Sequence, residues 1–370
     1  MTGNDRATHE HFMRMAISLA ERGTGSVSPN PRVGCVLVKE GKVVGWGYHR
    51  RYGGPHAEVE ALRMAGEEAS GATAYVNLEP CSHFGKTPPC APQLAAAGVR
   101  RVVAGMKDPN PRVNGTGLEC LEAVGIETVR GILENECRWL NRGFVRTMTL
   151  GRPWVTVKAA MSLDGDIALA GGESRWISGP LSRSKAHLLR SEHDAVLVGV
   201  GTVLADDPEL TVRLVEGRSP LRVVLDSGLR TPLNAKVIGD GRCLFLASED
   251  APGDRQAALE SRGAAVRRLP AEGKAGRPSV GQVLAALSAE GVSMLLVEGG
   301  SSVISAFVEA GMVDEYSLFV APVLLGRGIQ LAGELSLEHM GQAIALSPAR
   351  IKRVEGDLWL EVSPKCSPDL

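Results

Sequence analysis

The chain has 370 residues, a formal net charge of −1 at neutral pH, 44% hydrophobic residues and 4% aromatic residues. A near-neutral charge gives no general attraction to nucleic acid or to anionic membranes, and it favours small-molecule partners. No apolar run approaches the roughly 20 residues that span a bilayer, and the N-terminal segment lacks the pattern of a signal peptide. We therefore expect a cytoplasmic protein, long enough for two domains.

The chain contains seven cysteines, an odd number that is scattered along its length. This distribution favours reduced thiols or metal ligands over a framework of disulfides. Two of these cysteines, Cys81 and Cys90, lie in a motif described below.

The first half begins with a helix over His11–Ala20, whose apolar residues share one face. A Pro/Asn-rich loop then leads to two strands joined at Lys39-Glu40-Gly41. A helix over Pro55–Gly66 follows, and His56 and Glu58 fall in its first turn. Strands and helices alternate after that, including a helix over Ala91–Ala97, and Glu134–Met148 is predicted to be one helix that ends this half. This order predicts an α/β layer with much parallel pairing.

The segment Leu150-Gly151-Arg152-Pro153 interrupts the pattern, which restarts with the strand WVTVKAAM. We predict a domain boundary there, giving domains of residues 1–150 and 151–370. The second half also alternates β-like runs with helices, among them the runs AVLVGVG and YSLFVAPVLL. We expect a second α/β domain with a sheet of mixed direction.

His56, Cys81 and Cys90 together suggest a hydrolytic zinc site. One imidazole and two thiolates supply three ligands and leave the fourth position of a tetrahedral zinc to water, as in catalytic sites. Cys90 opens a predicted helix, and a helix N-terminus keeps a nearby thiolate ionised. Glu58 is then free to carry a proton from the water to a leaving nitrogen. The alternative is that these residues are unconnected, because His-x-Glu pairs are common.

The spacing departs from the H-x-E and P-C-x-x-C signature of zinc nucleobase deaminases, because eight residues separate Cys81 from Cys90. With this insertion, the first half resembles the deaminase domain of the bifunctional riboflavin-biosynthesis deaminase/reductase family. The similarity is carried by the stretches NPRVGCV, PHAEVEALRMAG, LEPCSHFGKTPPC and MKDPNPRVNGTG. The resemblance implies a cytidine-deaminase-like α/β/α domain in which His56, Cys81 and Cys90 bind one zinc ion and Glu58 shuttles protons.

The same resemblance implies contacts with the deaminase substrate. These contacts are Asn30, His49, Lys86, Asp108 and Asn110. The Lys86 cation could meet a ribose phosphate, and the Asn30 amide can pair with the edge of a pyrimidine. Three of the five, Asn30, Asp108 and Asn110, also lie in Pro-rich turns that favour Asx residues for conformational reasons alone. His83 could line the site or pack the inserted loop.

No G-x-G-x-x-G fingerprint follows a strand in the second half. The stretch Glu298-Gly299-Gly300-Ser301-Ser302 lies between a predicted strand and a predicted helix. Glycines before a helix N-terminus let backbone N–H groups approach a phosphate. The alternative is an ordinary strand-to-helix turn.

The second half resembles the reductase domain of the same family, through KAAMSLDG, GESRWIS, GTVLADDPELTVR, VEGGSSV and APVLLG. The resemblance implies a dihydrofolate-reductase-like mixed sheet that binds NADPH. The implied cofactor contacts are Ala160, Trp176, Thr202, Asp206, Ser227, Gly300, Ser301, Ser302, Val303, Ile304, Ser305 and Ala306. The implied substrate contacts are Ser174, Arg190, Leu210, Arg213 and Glu298. Guanidinium groups suit phosphate, although Arg190 and Arg213 could also be ordinary surface arginines. The sequence identifies no general acid in this half.

The leading hypothesis is a two-domain enzyme that deaminates 2,5-diamino-6-(5-phosphoribosylamino)pyrimidin-4(3H)-one and then reduces the ribosyl group with NADPH. We expect pyrimidine ribotides as partners, no nucleic acid or membrane, and a homo-oligomer, either a dimer or a tetramer. One alternative is a zinc deaminase acting on nucleic-acid bases with a non-catalytic second domain. The near-zero charge and few aromatic residues count against it. Another alternative is a scaffold with degenerate sites, against which the intact zinc motif counts.

Overall fold

The structure is a computed structural model that describes residues 3–84, 88–111, 113–273, 276–347 and 350–365. It divides into two compact units, the first ending at Gly151 and the second beginning at Arg152. Among the described residues, no helix is both long enough and apolar enough to cross a membrane.

The first unit contains one mixed sheet with helices on both faces. Its helices are α1 (Gly3–Glu21), α2 (Ala57–Ala65), α3 (Cys90–Ala96), α4 (Thr116–Ala123), α5 (Glu134–Leu140) and α6 (Arg142–Leu150), with a 3-10 turn at Gly66–Ala69. Its strands are β1 (Gly34–Lys39), β2 (Lys42–Tyr48), β3 (Thr73–Leu78), β4 (Arg101–Met106) and β5 (Glu127–Arg130). The strand order over the described residues is β2-β1-β3-β4-β5. Strand β1 is antiparallel to β2 and β3, whereas β3, β4 and β5 are parallel.

Successive residues of β1 point into two different cores, as the pleat of a strand requires. Cys35 and Leu37 pack in the cluster formed with α2, α3 and α4. Val36 and Val38 pack in the cluster formed with α1. This is the three-layer α/β/α arrangement expected for the first half.

The predicted helix over Glu134–Met148 is interrupted at Asn141, which separates α5 from α6. The Asn141 side chain turns to the backbone of Arg32, where its Oδ1 accepts from N–H at 2.7 Å and its Nδ2 donates to the carbonyl at 3.0 Å. Helical periodicity alone could not predict this break, because the partner lies 109 residues away in the chain.

The second unit is built on a larger mixed sheet. Its strands are β6 (Trp154–Met161), β7 (Asp166–Ala168), β8 (Ala195–Gly199), β9 (Leu221–Leu225), β10 (Cys243–Ser248), β11 (Ala265–Leu269), β12 (Met294–Val297), β13 (Glu315–Val320), β14 (Ile329–Gln330), β15 (Arg350–Val354) and β16 (Asp357–Val362). Its helices are α7 (Pro180–Glu192), α8 (Val200–Asp206), α9 (Gly253–Ser261), α10 (Val280–Ala289) and α11 (Ser301–Glu309), with a 3-10 turn at Met340–Gln342.

Within the described part of the second unit, the main sheet has the order β11-β10-β9-β8-β12-β6-β13-β16-β15, and β7 pairs with β14 separately. The strands from β11 to β13 are parallel, and β16 and β15 are antiparallel additions. The expectation of mixed direction is therefore confirmed. Helices α10 and α11 pack on one face, and α7, α8 and α9 on the other. The carboxyl ends of β6, β12, β8 and β9 consequently lie along one edge, where parallel sheets bind ligands.

Candidate active sites

Three metal-ligating side chains meet in the first unit. His56 is the N-cap residue of α2, Cys81 follows β3 and Cys90 is the first residue of α3. The prediction placed His56 inside the first turn of its helix, and it lies immediately before that turn. Nδ1 of His56 is 3.6 Å from Sγ of Cys81 and 3.3 Å from Sγ of Cys90. All three donor atoms lie within 4.8 Å of one another, close enough to share one ion.

The chemistry of this donor set suits zinc. The Cys90 thiol, the His56 ring and the Cys90 backbone N–H, which is 3.3 Å from Sγ of Cys81, all lower the pKa of Cys81. A thiolate is the form that binds a metal. One nitrogen and two sulfurs leave one tetrahedral position for a reacting molecule.

Glu58 lies beside these ligands in the first turn of α2 and is only 3% exposed. Its Oε2 atom is buried and has no hydrogen-bond partner among the described residues. Burial, with a further contribution from the negative charge on Cys81, raises the pKa of Glu58 to about 7. A carboxyl group in this state can accept and return a proton near neutral pH.

A cavity of about 250 Å³ opens onto this cluster. The predicted residues that line it are Asn30, His49, His56, Glu58, Cys81, Asp108 and Asn110. His83, for which the sequence left two alternatives, also lines the cavity. Lys86 lies outside the described residues.

His49 holds Asn30 in a fixed orientation. The Pro55 carbonyl can only accept a hydrogen bond, so Nδ1 of His49, 2.9 Å away, carries the proton. Nε2 of His49 then accepts from Nδ2 of Asn30 at 3.1 Å. Burial lowers the pKa of His49, which agrees with a neutral ring. The Asn30 amide therefore faces the cavity with a defined donor and acceptor arrangement.

Asp108 and Asn110 also line the cavity. The Asn110 N–H donates to Oδ1 of Asp108 at 2.8 Å, an Asx turn of the kind the sequence suggested. Burial raises the pKa of Asp108 to about 6. The two residues thus serve their own turn and also line the cavity.

The second unit contains a cavity of about 920 Å³ along the carboxyl edge of its parallel strands. Most of the residues predicted to bind cofactor or substrate line it. They are Ala160, Ser174, Trp176, Arg190, Thr202, Asp206, Leu210, Ser227, Glu298, Gly300, Ser301, Ser302, Val303, Ile304 and Ala306. The lining does not include Arg213 or Ser305. Arg213 is exposed and pairs with Glu209 at 2.7 Å, and Oγ of buried Ser305 accepts from the Glu334 N–H at 3.1 Å.

One end of this cavity holds a buried cluster of charges. Nε and Nη2 of Arg190 donate to the two carboxylate oxygens of Glu298 at 2.6 and 2.9 Å. Nζ of Lys158 lies 3.8 Å from Oε2 of the same carboxylate. Burial alone would raise the pKa of Glu298, but Arg190 and Lys158 outweigh it and bring that pKa to about 2. Sequence reasoning missed Lys158, although a lone lysine in the apolar strand β6 is a signal for it.

Two glycine turns form the middle of the cavity, one at Gly199 at the end of β8 and the other at Gly299-Gly300 after β12. A Cβ atom on Gly299 would lie 3.1 Å from the backbone nitrogen of Gly199, so the two turns approach each other closely. The Gly300 N–H donates to Oγ1 of Thr202 at 3.1 Å, and α11 begins at the next residue. A strand, a glycine turn and a helix N-terminus fit the pyrophosphate of a dinucleotide. The predicted strand AVLVGVG is wrong at its end, because β8 stops at Gly199 and α8 begins at Val200.

Two family models match the chain. Residues 6–106 match the cytidine and deoxycytidylate deaminase zinc-binding region, and residues 153–360 match the RibD C-terminal domain. The first match contains the metal-ligating cluster, and the second contains the larger cavity.

Whole-length relatives extend these matches. The riboflavin biosynthesis protein RibD of Escherichia coli is 42% identical over 368 residues, covering 95% of this chain and 98% of the relative. That of Aquifex aeolicus is 40% identical over 354 residues, with the same coverage.

Solved structures agree with the sequence relatives. RibD of Acinetobacter baumannii has a TM-score of 0.89 at 38% identity, covering 97% of this chain and 99% of its own. The diaminohydroxyphosphoribosylaminopyrimidine deaminase/5-amino-6-(5-phosphoribosylamino)uracil reductase of Thermotoga maritima has a TM-score of 0.86 at 36% identity, with the same coverage. The chain therefore belongs to the RibD family of bifunctional riboflavin-biosynthesis enzymes, which combine a deaminase with a reductase.

Proposed function

We propose that the chain catalyses two consecutive steps of riboflavin biosynthesis. Residues 1–150 would deaminate 2,5-diamino-6-(5-phosphoribosylamino)pyrimidin-4(3H)-one. Residues 151–370 would then reduce the ribosyl group of 5-amino-6-(5-phosphoribosylamino)uracil to ribityl with NADPH. The observation that carries the proposal is the convergence of His56, Cys81 and Cys90 beside buried Glu58.

In the first step, His56, Cys81 and Cys90 hold zinc, which when bound supplies a Lewis acid that lowers the pKa of a coordinated water to about 7. Glu58 takes the proton from the attacking water and delivers it to the departing amine, so that ammonia leaves. The unpartnered Oε2 of Glu58 supports this role, because a buried carboxylate oxygen without a partner is available to a reactant.

The walls of the first cavity orient the pyrimidine. Asn30, held by His49, would offer its amide to the ring edge, and Asp108 and Asn110 would make further contacts with the substrate. We assign Lys86 to the ribose phosphate because of its charge.

For the second step, the cavity of the second unit would hold NADPH, which when bound supplies a hydride. Gly300 and the first residues of α11, Ser301–Ala306, would hold its pyrophosphate, with Ala160, Trp176, Thr202, Asp206 and Ser227 as further cofactor contacts. The ribotide substrate would be contacted by Ser174, Arg190, Leu210, Arg213 and Glu298, of which Arg213 lies outside the lining of this cavity. The proposal is supported by the single cavity that most of these residues line, with buried charges at one end and glycine turns in the middle.

We further propose a homo-oligomer, a dimer or a tetramer, acting in the cytoplasm on small ribotides rather than on nucleic acid. Cys35, Cys120, Cys137 and Cys243 are free thiols, as expected in a reducing compartment. Light scattering would measure the assembly.

Glu58→Gln tests the first step. We expect the variant to retain one zinc per chain, to lose ammonia release by at least about 10²-fold, and to oxidise NADPH normally when given the deaminated intermediate. Glu60→Gln, on the same helix but ion-paired to Arg63, is the matched control and should release ammonia normally. Normal ammonia release by Glu58→Gln would contradict the assigned role, and no NADPH oxidation on the intermediate would contradict the reductase.

A further inference from the structure

Six cationic side chains occur in the described lining of the large cavity of the second unit. Four of them are engaged: Lys158 and Arg190 with Glu298, Arg175 with Asp206, and Arg183 over the ring of Trp176 at 4.4 Å. The other two, Arg230 and Arg277, have no ion pair and no side-chain hydrogen bond within the part of the chain that the structure describes. These two cations are available to a ligand.

The two arginines lie at the end of the cavity opposite to the buried charge cluster. In the cluster, Lys158 lies on β6, Glu298 follows β12 and Arg190 lies on α7, whereas the glycine turns follow β8 and β12. Arg230 follows β9, and Arg277 precedes α10 beyond β11. Since the sheet order runs β6, β12, β8, β9, β10 and β11, a ligand lying along this edge reaches the arginines only after passing the glycine turns.

The backbone around Arg230 is held from two sides. Oδ2 of buried Asp226 accepts from both the N–H and the hydroxyl of Thr231 at 2.8 Å. Arg255 donates to the Leu229 carbonyl at 3.0 Å and to the Thr231 carbonyl at 2.7 Å. The residues before and after Arg230 are therefore fixed, whereas its own guanidinium remains available.

The backbone around Arg277 is held in the same way. Oγ of Ser248, the last residue of β10, donates to the Gly276 carbonyl at 3.3 Å. On the other side, Ser279 and Gln282 form a reciprocal capping box at the start of α10. Both arginines thus project from anchored turns, which reduces the entropy lost when they bind an anion.

We propose that Arg230 and Arg277 bind the 2′-phosphate of the adenosine ribose and thereby select NADPH against NADH. The proposal rests on the proposed reductase function. The two nucleotides differ only in this phosphate, which carries close to two negative charges at neutral pH. The pyrophosphate assigned to the glycine turns leaves the adenosine half toward β9 and β11. NAD-selective sites place a carboxylate near the ribose, whereas the acids in the described lining, Asp206 and Glu298, are both paired elsewhere.

Calorimetry with nucleotide fragments tests the arginines without turnover. Adenosine 2′,5′-bisphosphate and AMP differ only in the 2′-phosphate. We expect Arg230→Met and Arg277→Met each to weaken bisphosphate binding by roughly tenfold or more and to leave AMP binding unchanged. Methionine keeps an apolar stem in place of the arginine stem. Arg262→Met, an exposed arginine outside the cavity lining, is the matched control.

In steady-state kinetics, we expect Arg230→Met and Arg277→Met each to raise the KM for NADPH and to leave the KM for NADH unchanged. Equal losses of affinity for bisphosphate and AMP would overturn the proposal, because they would indicate a general effect on the cavity. Undiminished bisphosphate affinity in the double variant would overturn it as well. If the wild-type chain prefers the bisphosphate through these arginines but reduces no ribotide, the proposed function fails and the phosphate site stands.

Discussion

His187 is a buried histidine that accepts a backbone hydrogen bond and is neutral at pH 7. It lies in α7, is 7% exposed, and its Nδ1 accepts from the backbone N–H of Arg213 at 2.9 Å. Burial is the main cause that lowers the pKa of His187 to about 4, and the nearby charges of Arg190 and Arg213 add to it. Protonation would cost this hydrogen bond, because Nδ1 would then carry a proton.

This arrangement predicts a pH dependence of stability. Between pH 6.5 and about 4 the unfolded chain binds a proton that folded His187 does not, so the free energy of unfolding decreases as pH falls through that window. In His187→Asn this contribution is absent. We expect the difference in Tm between wild type and variant to be larger at pH 7 than at pH 5.

His339→Asn, at an exposed position in the same unit, is the control and should follow the wild type at both pH values. A constant difference between wild type and His187→Asn across the range would contradict the interpretation.

At the scale of elements, Glu79 joins the end of β3 to the start of α4. Its Oε2 accepts from the N–H groups of Asp108 and Gly115 at 3.1 and 2.9 Å, and its Oε1 accepts from that of Gly117 at 2.9 Å. The start of α4 lies close to the segment after β3, because a Cβ on Gly117 would lie 1.9 Å from the Pro80 carbonyl oxygen. The turn that carries Asp108 and Asn110 is therefore tied to the strand that leads to Cys81.

We predict that Glu79→Gln raises the KM of the deaminase more than it lowers kcat. An amide NH₂ cannot accept from backbone N–H groups, so some of these hydrogen bonds are lost. We expect the loss to lower the free energy of unfolding by about 1–3 kcal/mol. Asp108 and Asn110 would then lose their alignment, while zinc content should be retained. NADPH oxidation on the deaminated intermediate is the internal control. An unchanged KM, or loss of zinc, would contradict a positioning role.

The elements also show where sequence patterns succeed and fail. Local patterns predicted the hairpin of β1 and β2, the helix that begins at Cys90, and the strand, glycine turn and helix around Gly300, because each depends on neighbouring residues. Asn141 breaks a predicted helix through a distant partner, and β8 gives way to α8 at a glycine that the pattern extended as strand. The Arg190 and Glu298 pair spans 108 residues, so only the folded sheet brings it together.

At the scale of the whole molecule, the metal-ligating cluster and the larger cavity lie in different compact units. We predict that removal of zinc with a chelator abolishes ammonia release and leaves NADPH oxidation on the deaminated intermediate within about twofold of the untreated enzyme. Re-addition of zinc should restore ammonia release. Parallel loss of both activities would contradict this separation.

The backbone at Arg32 is held by hydrogen bonds from two asparagine side chains that lie far apart in the chain. Asn141 contacts Arg32 as described above. Oδ1 of Asn77 accepts from the Gly34 N–H at 2.8 Å, and its Nδ2 donates to the Arg32 carbonyl at 2.9 Å. The segment leads directly from Asn30 on the cavity wall. Because Asn141 follows His56, Cys81 and Cys90 in the chain, these three side chains leave the ribosome before the Asn141 contacts to Arg32 can form. A fragment that ends before Asn141 would keep the ligands and the Asn77 contacts but lack the two hydrogen bonds between Asn141 and Arg32.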